Sequence, residues 1–281
     1  MIRLTNVVPV SYLGLTTNQK THWISARMAE NNSEYLEFYQ ELKEKDQTVI
    51  YYLDSRDAES SMSEVINLAN SLNVNTVVIP NSQESSVAAN EALAKKWFPA
   101  LKLANLRTMV IPQATFNDSL GFFKSFSWAL NDKSVDMIGV SSDYCATAFG
   151  VEDESNFELE TPFIDTTYAM QRYLSRWHLF NALRQLVLLN NMNSHMKFHC
   201  LELNGVREIE LLQPFHKFIF SWHTSEPFWL AYNKAMYDAS PTGLRHGGIN
   251  TPFDYMAPYI DDPDINKGIN HNIGFAEASA E

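Results

Sequence analysis

The chain has 281 residues, with 33 Asp and Glu against 21 Lys and Arg, for a formal charge of −12. Its 45% apolar and 19% charged residues place it far from disordered compositions, and the length is enough for one large domain with a sizeable core. Ten glycines, adjacent only at Gly247-Gly248, exclude the glycine-rich phosphate loops of either common type, and two cysteines, Cys145 and Cys200, exclude a disulfide scaffold and a four-ligand zinc site.

No run approaches the roughly 18 apolar residues of a membrane span, and the start MIRLTNVVPVSYLG lacks a long apolar signal region. The expectation is a soluble, cytoplasmic protein with no membrane partner. The acidic balance disfavours nucleic acid, whose phosphates need Lys and Arg, unless a local basic groove overrides the total.

In chain order, short β-branched runs alternate with longer amphipathic segments. Strand candidates are 4–10, 48–53, 75–80, 107–112, 135–140, 197–203 and 217–222, and helix candidates lie near 31–45, 61–72, 85–102, 116–130, 166–190, 205–213 and 224–237. The strands are apolar on consecutive residues, as strands buried on both faces are, and their spacing of about 25 to 30 residues in mid-chain fits one βα unit each. A short eighth strand around Leu244–Asn250 would close a (β/α)8 TIM-type barrel; without it the sheet stays open and doubly wound. The barrel is the preferred reading, as a single unit over residues 1–281.

Between Ser141 and Asp165 lie seven acids and no Lys or Arg, so a long acidic loop (141–165) is expected over the catalytic face after the fifth predicted strand. On the helix that follows, Met170, Tyr173, Leu174, Trp177, Phe180, Leu183 and Val187 form a core stripe. The tail (258–281) reads as a helical segment packing outside the barrel or tethering a partner.

In such a barrel the chemistry sits just past the carboxyl ends of the strands. Those positions are polar: Asp54-Ser55-Arg56-Asp57, Asn81-Ser82-Gln83-Glu84, Gln113 with Thr115, Ser141-Ser142-Asp143, Glu202-Leu203-Asn204-Gly205 and His223-Thr224-Ser225-Glu226. Asp54 and Asp57 serve equally well as helix caps, Thr115 as the cap of helix 116–130, and His223 as a packed histidine. His195 and His199 have the spacing of a metal pair on a helix, but 197–203 reads as strand, so no metal is expected. Arg245-His246-Gly247-Gly248 reads as a plain loop or a weak phosphate turn.

Taken in order, LDS, VVIPN, VIPQ, IGV, CLELNG and SWHTSEP after successive strands resemble the tRNA-guanine transglycosylase superfamily over roughly residues 48–235, and most nearly its short, zinc-free phage branch of DNA 7-deazaguanine transglycosylase-like proteins. The resemblance implies a purine-like base or nucleotide as partner and no cofactor. Asp54 would move a proton and read the purine edge, Asn81 and Gln113 would contact the base, and Gly139 and Ser141 would lie beside it. His223 stands where the family has its nucleophilic Asp, and the Gly-Gly of the first motif is replaced by Arg56 and Asp57. His223 or Glu226 would then be the altered catalytic group. The alternative is a catalytically inactive barrel, a phage structural or host-interaction protein docking through its acidic surface and tail. A catalytic His223 should find a carboxylate, Asp54 or Glu226, that raises its pKa. In a scaffold the ring should pack under Trp222 or neighbouring aromatics, bonded to a backbone carbonyl, with Arg56 filling the pocket.

Overall fold

The computed structural model describes residues 2–56, 61–82, 86–151, 164–189, 192, 195–202, 205–237 and 254–280. Eight strands are formed: β1 (Arg3–Asn6), β2 (Thr21–Ser25), β3 (Ile50–Asp54), β4 (Thr76–Val78), β5 (Arg107–Val110), β6 (Met137–Ser141), β7 (Lys197–Leu201) and β8 (Ile219–Thr224). Their order is β1-β8-β7-β6-β5-β4-β3-β2, with every recorded pair parallel. The six expected mid-chain strands are β3 to β8, and the architecture is a nearly closed (β/α)8 barrel.

The seam between β1 and β2 is closed by side chains rather than by a ladder. Thr5 Oγ1 donates to Thr21 Oγ1 at 2.7 Å, Thr21 Oγ1 to the Leu4 carbonyl at 3.2 Å, and the Asn6 amide to Gln19 Oε1 at 3.0 Å. The crossover here carries only a 3-10 turn (Val10–Thr16) in place of a full helix.

The predicted eighth strand at Leu244–Asn250 lies outside the described residues; the strand that completes the sheet is β2. Its sequence, THWIS, holds two apolar residues among polar ones, so it does not read as a buried run. β2 pairs in register with β3 (Trp23 with Tyr52, Ser25 with Asp54): Thr21 and Ser25 share the inward face with Trp23, while His22 faces outward against Tyr39 and Tyr51.

The outer layer comprises α1 (Ala26–Asn31), α2 (Ser33–Lys45), α3 (Met62–Ser71), α4 (Val87–Leu103), α5 (Ser119–Asn131), α6 (Ser142–Ala148), α7 (Ile164–Gln185), α8 (Val206–Leu211), α9 (Glu226–Tyr232) and α10 (Pro263–Ala280). Local chemistry starts several of them: Ser25 caps α1, Asn32 caps α2, and Asp118, rather than Thr115, caps α5 by accepting from Gly121 N at 2.8 Å. Within the core stripe of α7, Phe180 and Leu183 are fully buried, but Val187 is 48% exposed because the helix has ended and Val187 turns left-handed (φ 62°).

The tail forms α10, which packs on α9, α8 and β1 and brings the Ala280 carbonyl to the Ile2 amide at 3.3 Å. Asn272, fully buried, fastens it: its Nδ2 donates to the carbonyls of Pro227 and Ala235, and its Oδ1 accepts from Tyr237 N. Among the described residues no helix is long and apolar enough to cross a membrane.

Two cores result. A large one fills the space between sheet and helices, and a smaller one, including Trp23, Tyr52, Met109, Ile111 and Leu201, fills the barrel. Gly139 on β6 makes room in the second, since a Cβ there would stand 2.6 Å from Ile111 Cγ1 and 2.9 Å from Leu201 Cδ1. Gly139→Ala is therefore expected to overpack the barrel and destabilise it by about 1–3 kcal/mol in urea unfolding, with partial recovery in Gly139→Ala/Ile111→Val. An unchanged midpoint would show that the barrel interior has slack.

Candidate active site

The polar positions along the barrel axis form one chain. Tyr52 OH meets Ser221 Oγ at 2.9 Å, Ser221 Oγ meets His199 Nδ1 at 2.7 Å, and His199 Nε2 meets His223 Nδ1 at 3.0 Å. Trp23 lies flat against both imidazoles, 4.2 Å from the His223 ring centre and 4.9 Å from that of His199. Burial holds both histidines well below their usual pKa, aided by His223, Arg176 and Arg56 for His199, and by Arg56 and Arg176 for His223. Each ring is thus neutral with one N–H, and only one of the two can donate across their contact. The direction of the chain therefore decides whether His223 Nε2, nearest the mouth, is a donor or an acceptor.

Above this shaft, Arg56 grips Asp54 through two bonds, Nε to Oδ1 at 2.9 Å and Nη2 to Oδ2 at 2.8 Å, while its guanidinium lies 5.9 Å from the Trp23 ring. Arg56 thus crowds the mouth, as its position in the sequence implies. The ring partners of His223 are Trp23 and His199, and Trp222 belongs instead to the outer core.

The chemistry with the most freedom lies on the rim at β6 to β8. Ser141 ends β6 and caps α6, accepting from Tyr144 N at 3.4 Å, which places Asp143 in that helix's first turn. From α7, Arg176 is fully buried and pairs with the equally buried Glu208 at 2.6 Å. It also donates to the carbonyls of Leu201 and Glu202, so it fixes the turn at the end of β7. Glu202 is held there in the left-handed region (φ 58°), a conformation that costs a non-glycine residue about 1–3 kcal/mol and persists where surroundings impose it.

One turn earlier on α7, Arg172 pairs with Asp143 and reaches Glu202 Oε2 at 3.5 Å. Burial in the mouth, followed by the Asp143 carboxylate and its hydrogen bond, pushes Glu202 up to about 7 against the pull of Arg172 and Arg56. The Glu202 side chain nonetheless remains 45% exposed, so solvent reaches it and the carboxylate neighbour is the firmer cause.

Beside this cluster, Glu226 opens α9 and accepts from Gly205 N at 2.8 Å and from Tyr237 OH. Burial pushes it, too, up to about 7.

The other expected site residues are engaged locally. Asn81 Nδ2 donates to Tyr144 OH at 3.3 Å, and Gln113 Oε1 accepts from Asn90 Nδ2 at 2.6 Å. Cys145 and Cys200 are buried and burial raises both thiols, so neither is a ready nucleophile. Among the described residues no three His, Cys, Asp or Glu are grouped as metal ligands. Asp57, Gln83, Glu84, Asn204, the turn at 245–248 and residues 152–163 of the predicted acidic loop lie outside the described residues, while the first part of that loop is helical instead, as α6 (Ser142–Ala148), because Ser141 caps it.

Sequence reasoning gave no role to Trp23, Arg172, Glu202 or Tyr237. Arg172 reads as a solvent-side residue on an amphipathic helix, and Tyr237 sits beyond any motif. Glu202 alone carried a signal, as an acid directly after a strand.

No protein-family model matches the chain, and no curated protein matches it. Among solved structures it is similar to KGPDC from Streptococcus mutans (7% identity, 97% of this chain and 99% of that one, TM-score 0.46). It is also similar to an HpcH/HpaI aldolase from Desulfitobacterium hafniense (9%, 83% and 90%, 0.47) and to 3-keto-L-gulonate-6-phosphate decarboxylase from Vibrio cholerae (8%, 81% and 89%, 0.43).

That no family model and no curated protein matches corrects the resemblance to the tRNA-guanine transglycosylase superfamily and leaves the 7-deazaguanine and phage assignments without support. The motifs behind it have a simpler origin. Asp54 is an arginine partner, Ser141 a helix cap, and Gly139 a gap filled by Ile111 and Leu201, all of which a (β/α)8 chain needs for folding alone.

Since Arg176 holds the turn that presents Glu202, Arg176→Met should strand the Glu208 charge and cost about 3–5 kcal/mol in chemical unfolding, whereas Arg176→Met/Glu208→Leu should regain much of that loss. Equal instability of the single and double variants would show that the lost carbonyl contacts, not the stranded charge, dominate.

Proposed function

We propose that the chain is an enzyme of the (β/α)8 class that moves a proton at a carbon beside a carbonyl, in a small polar or anionic substrate bound at the rim between β6 and β8. The observation that supports this most is the Asp143–Glu202 pair bridged by Arg172, with Glu202 pushed up to about 7. A base of that pKa is matched to neutral pH, and a positioned base contributes about 10²–10⁴-fold. Abstracting such a proton leaves negative charge on the carbonyl oxygen, and Arg172, with Arg56 nearby in the field that Glu202 feels, supplies positive charge to meet it. A two-carboxylate glycosidase fits poorly. Such enzymes hold their carboxyls about 5–9.5 Å apart, with room for the sugar between them, whereas here one Arg172 nitrogen contacts both Asp143 and Glu202.

A second reading, a barrel that binds without catalysis, draws on the packing of Trp23 and Arg56 across the central mouth. Solvent exchange separates the two. Incubated in D₂O with a panel of small 2-oxo acids, ketoses and their phosphates, the protein should wash deuterium into one of them next to the carbonyl, with a rate that rises as pH passes about 7. Glu202→Gln should lower that rate by about 10²-fold or more. No exchange on any member would favour the binding-only barrel, and exchange unaffected by Glu202→Gln would move the base elsewhere.

A further inference from the structure

The opposite, amino-terminal end of the barrel has a charge pattern that the folding of the chain does not require. On β5, Met109 and Ile111 belong to the barrel's inner cluster, so strand alternation gives Arg107 the same inward face one step lower. There it borders a cavity of about 950 Å³ whose lining includes the rings of Tyr52, Phe98 and Phe220 and the cations Lys102, Arg107 and Lys133. The Arg3 guanidinium lies 4.6 Å over the ring of the lining residue Phe220, which puts a further positive charge close to the cavity.

None of the ion pairs recorded among the described residues uses Lys102, Arg107 or Lys133. The carboxylate lining the cavity, Asp136, is turned to the strand backbone, where its Oδ2 accepts from Thr108 N at 2.9 Å. Cations gathered without carboxylate partners, in a chain of formal charge −12, create a local field opposite to that of the molecule as a whole. The volume is at the upper end of small-molecule sites, about 300–1,000 Å³, and far exceeds what a lone phosphate fills.

We propose that this lower cavity binds a phosphorylated small molecule of nucleotide size, its phosphates on Lys102, Arg107 and Lys133 and its apolar or aromatic body against Phe98 and Phe220. The site is at the far end of the barrel from Glu202 and is independent of the rim chemistry.

Calorimetric titration of the full chain with ADP, pyrophosphate and adenosine tests it. ADP should bind more tightly than either fragment, and added salt should weaken it. Lys102→Ala/Lys133→Ala should weaken ADP by about tenfold or more while leaving the thermal unfolding midpoint unchanged, since both side chains are exposed. Arg107→Gln provides an independent variant with the same expected loss. The proposal is overturned by the absence of heat with every probe, by ADP binding indifferent to these substitutions, or by pyrophosphate binding as tightly as ADP.

Discussion

The rim of this barrel depends on one buried cation. Arg176 comes from α7 and ends in a space with no solvent, where it meets Glu208 of α8 and the two last carbonyls of the β7 end. A guanidinium has five donors in a fixed plane, so it can satisfy a carboxylate and two carbonyls at once, which a lysine cannot. A buried pair of this kind adds little net stability compared with apolar residues of the same size. What it does here is geometric. It ties two helices to one strand end and thereby holds Glu202 in a left-handed turn that free glutamate would leave.

The shaft below follows a different rule. The barrel centre has too little water to support charge, so polar groups survive there only as a neutral, mutually bonded series, and Tyr52, Ser221, His199 and His223 meet that condition with Trp23 as a flat wall. The centre of the mouth is accordingly filled, and the solvent-reachable acids stand off-axis. The proton chemistry proposed for the chain falls to the rim, where Arg172 draws Asp143 and Glu202 together and both stay open to solvent.

The repeating βα units were legible in the sequence because strands buried on both faces are apolar without interruption, as at residues 50–53 and 137–140. β2 was not, because its inward residues are chosen for the polar interior and its neighbours across the seam are reached by threonine hydroxyls. The rim was half legible. Acids after strands can be read directly, but caps and active-site acids use the same residue types, so Ser141 and Glu202 look alike until the fold separates them. Arg172 and Arg176 differ by one helical turn and share a residue type, yet one is a buried anchor and the other faces two carboxylates. The angle at which α7 packs against β7 decides that, and no local pattern encodes it. The transglycosylase resemblance failed for a related reason: strand ends in any such barrel repeat a small vocabulary of caps and turns.

The account stands on the claim that the Asp143 carboxylate helps to raise the pKa of Glu202. Carbon-detected NMR titration of the Glu202 side-chain carboxyl, in the intact protein and in Asp143→Asn, tests that most directly. The account predicts a midpoint near 7 in the intact protein and a clear fall toward the ordinary glutamate range once the Asp143 charge is removed. A midpoint already in the ordinary range, or one that Asp143→Asn leaves in place, would contradict it.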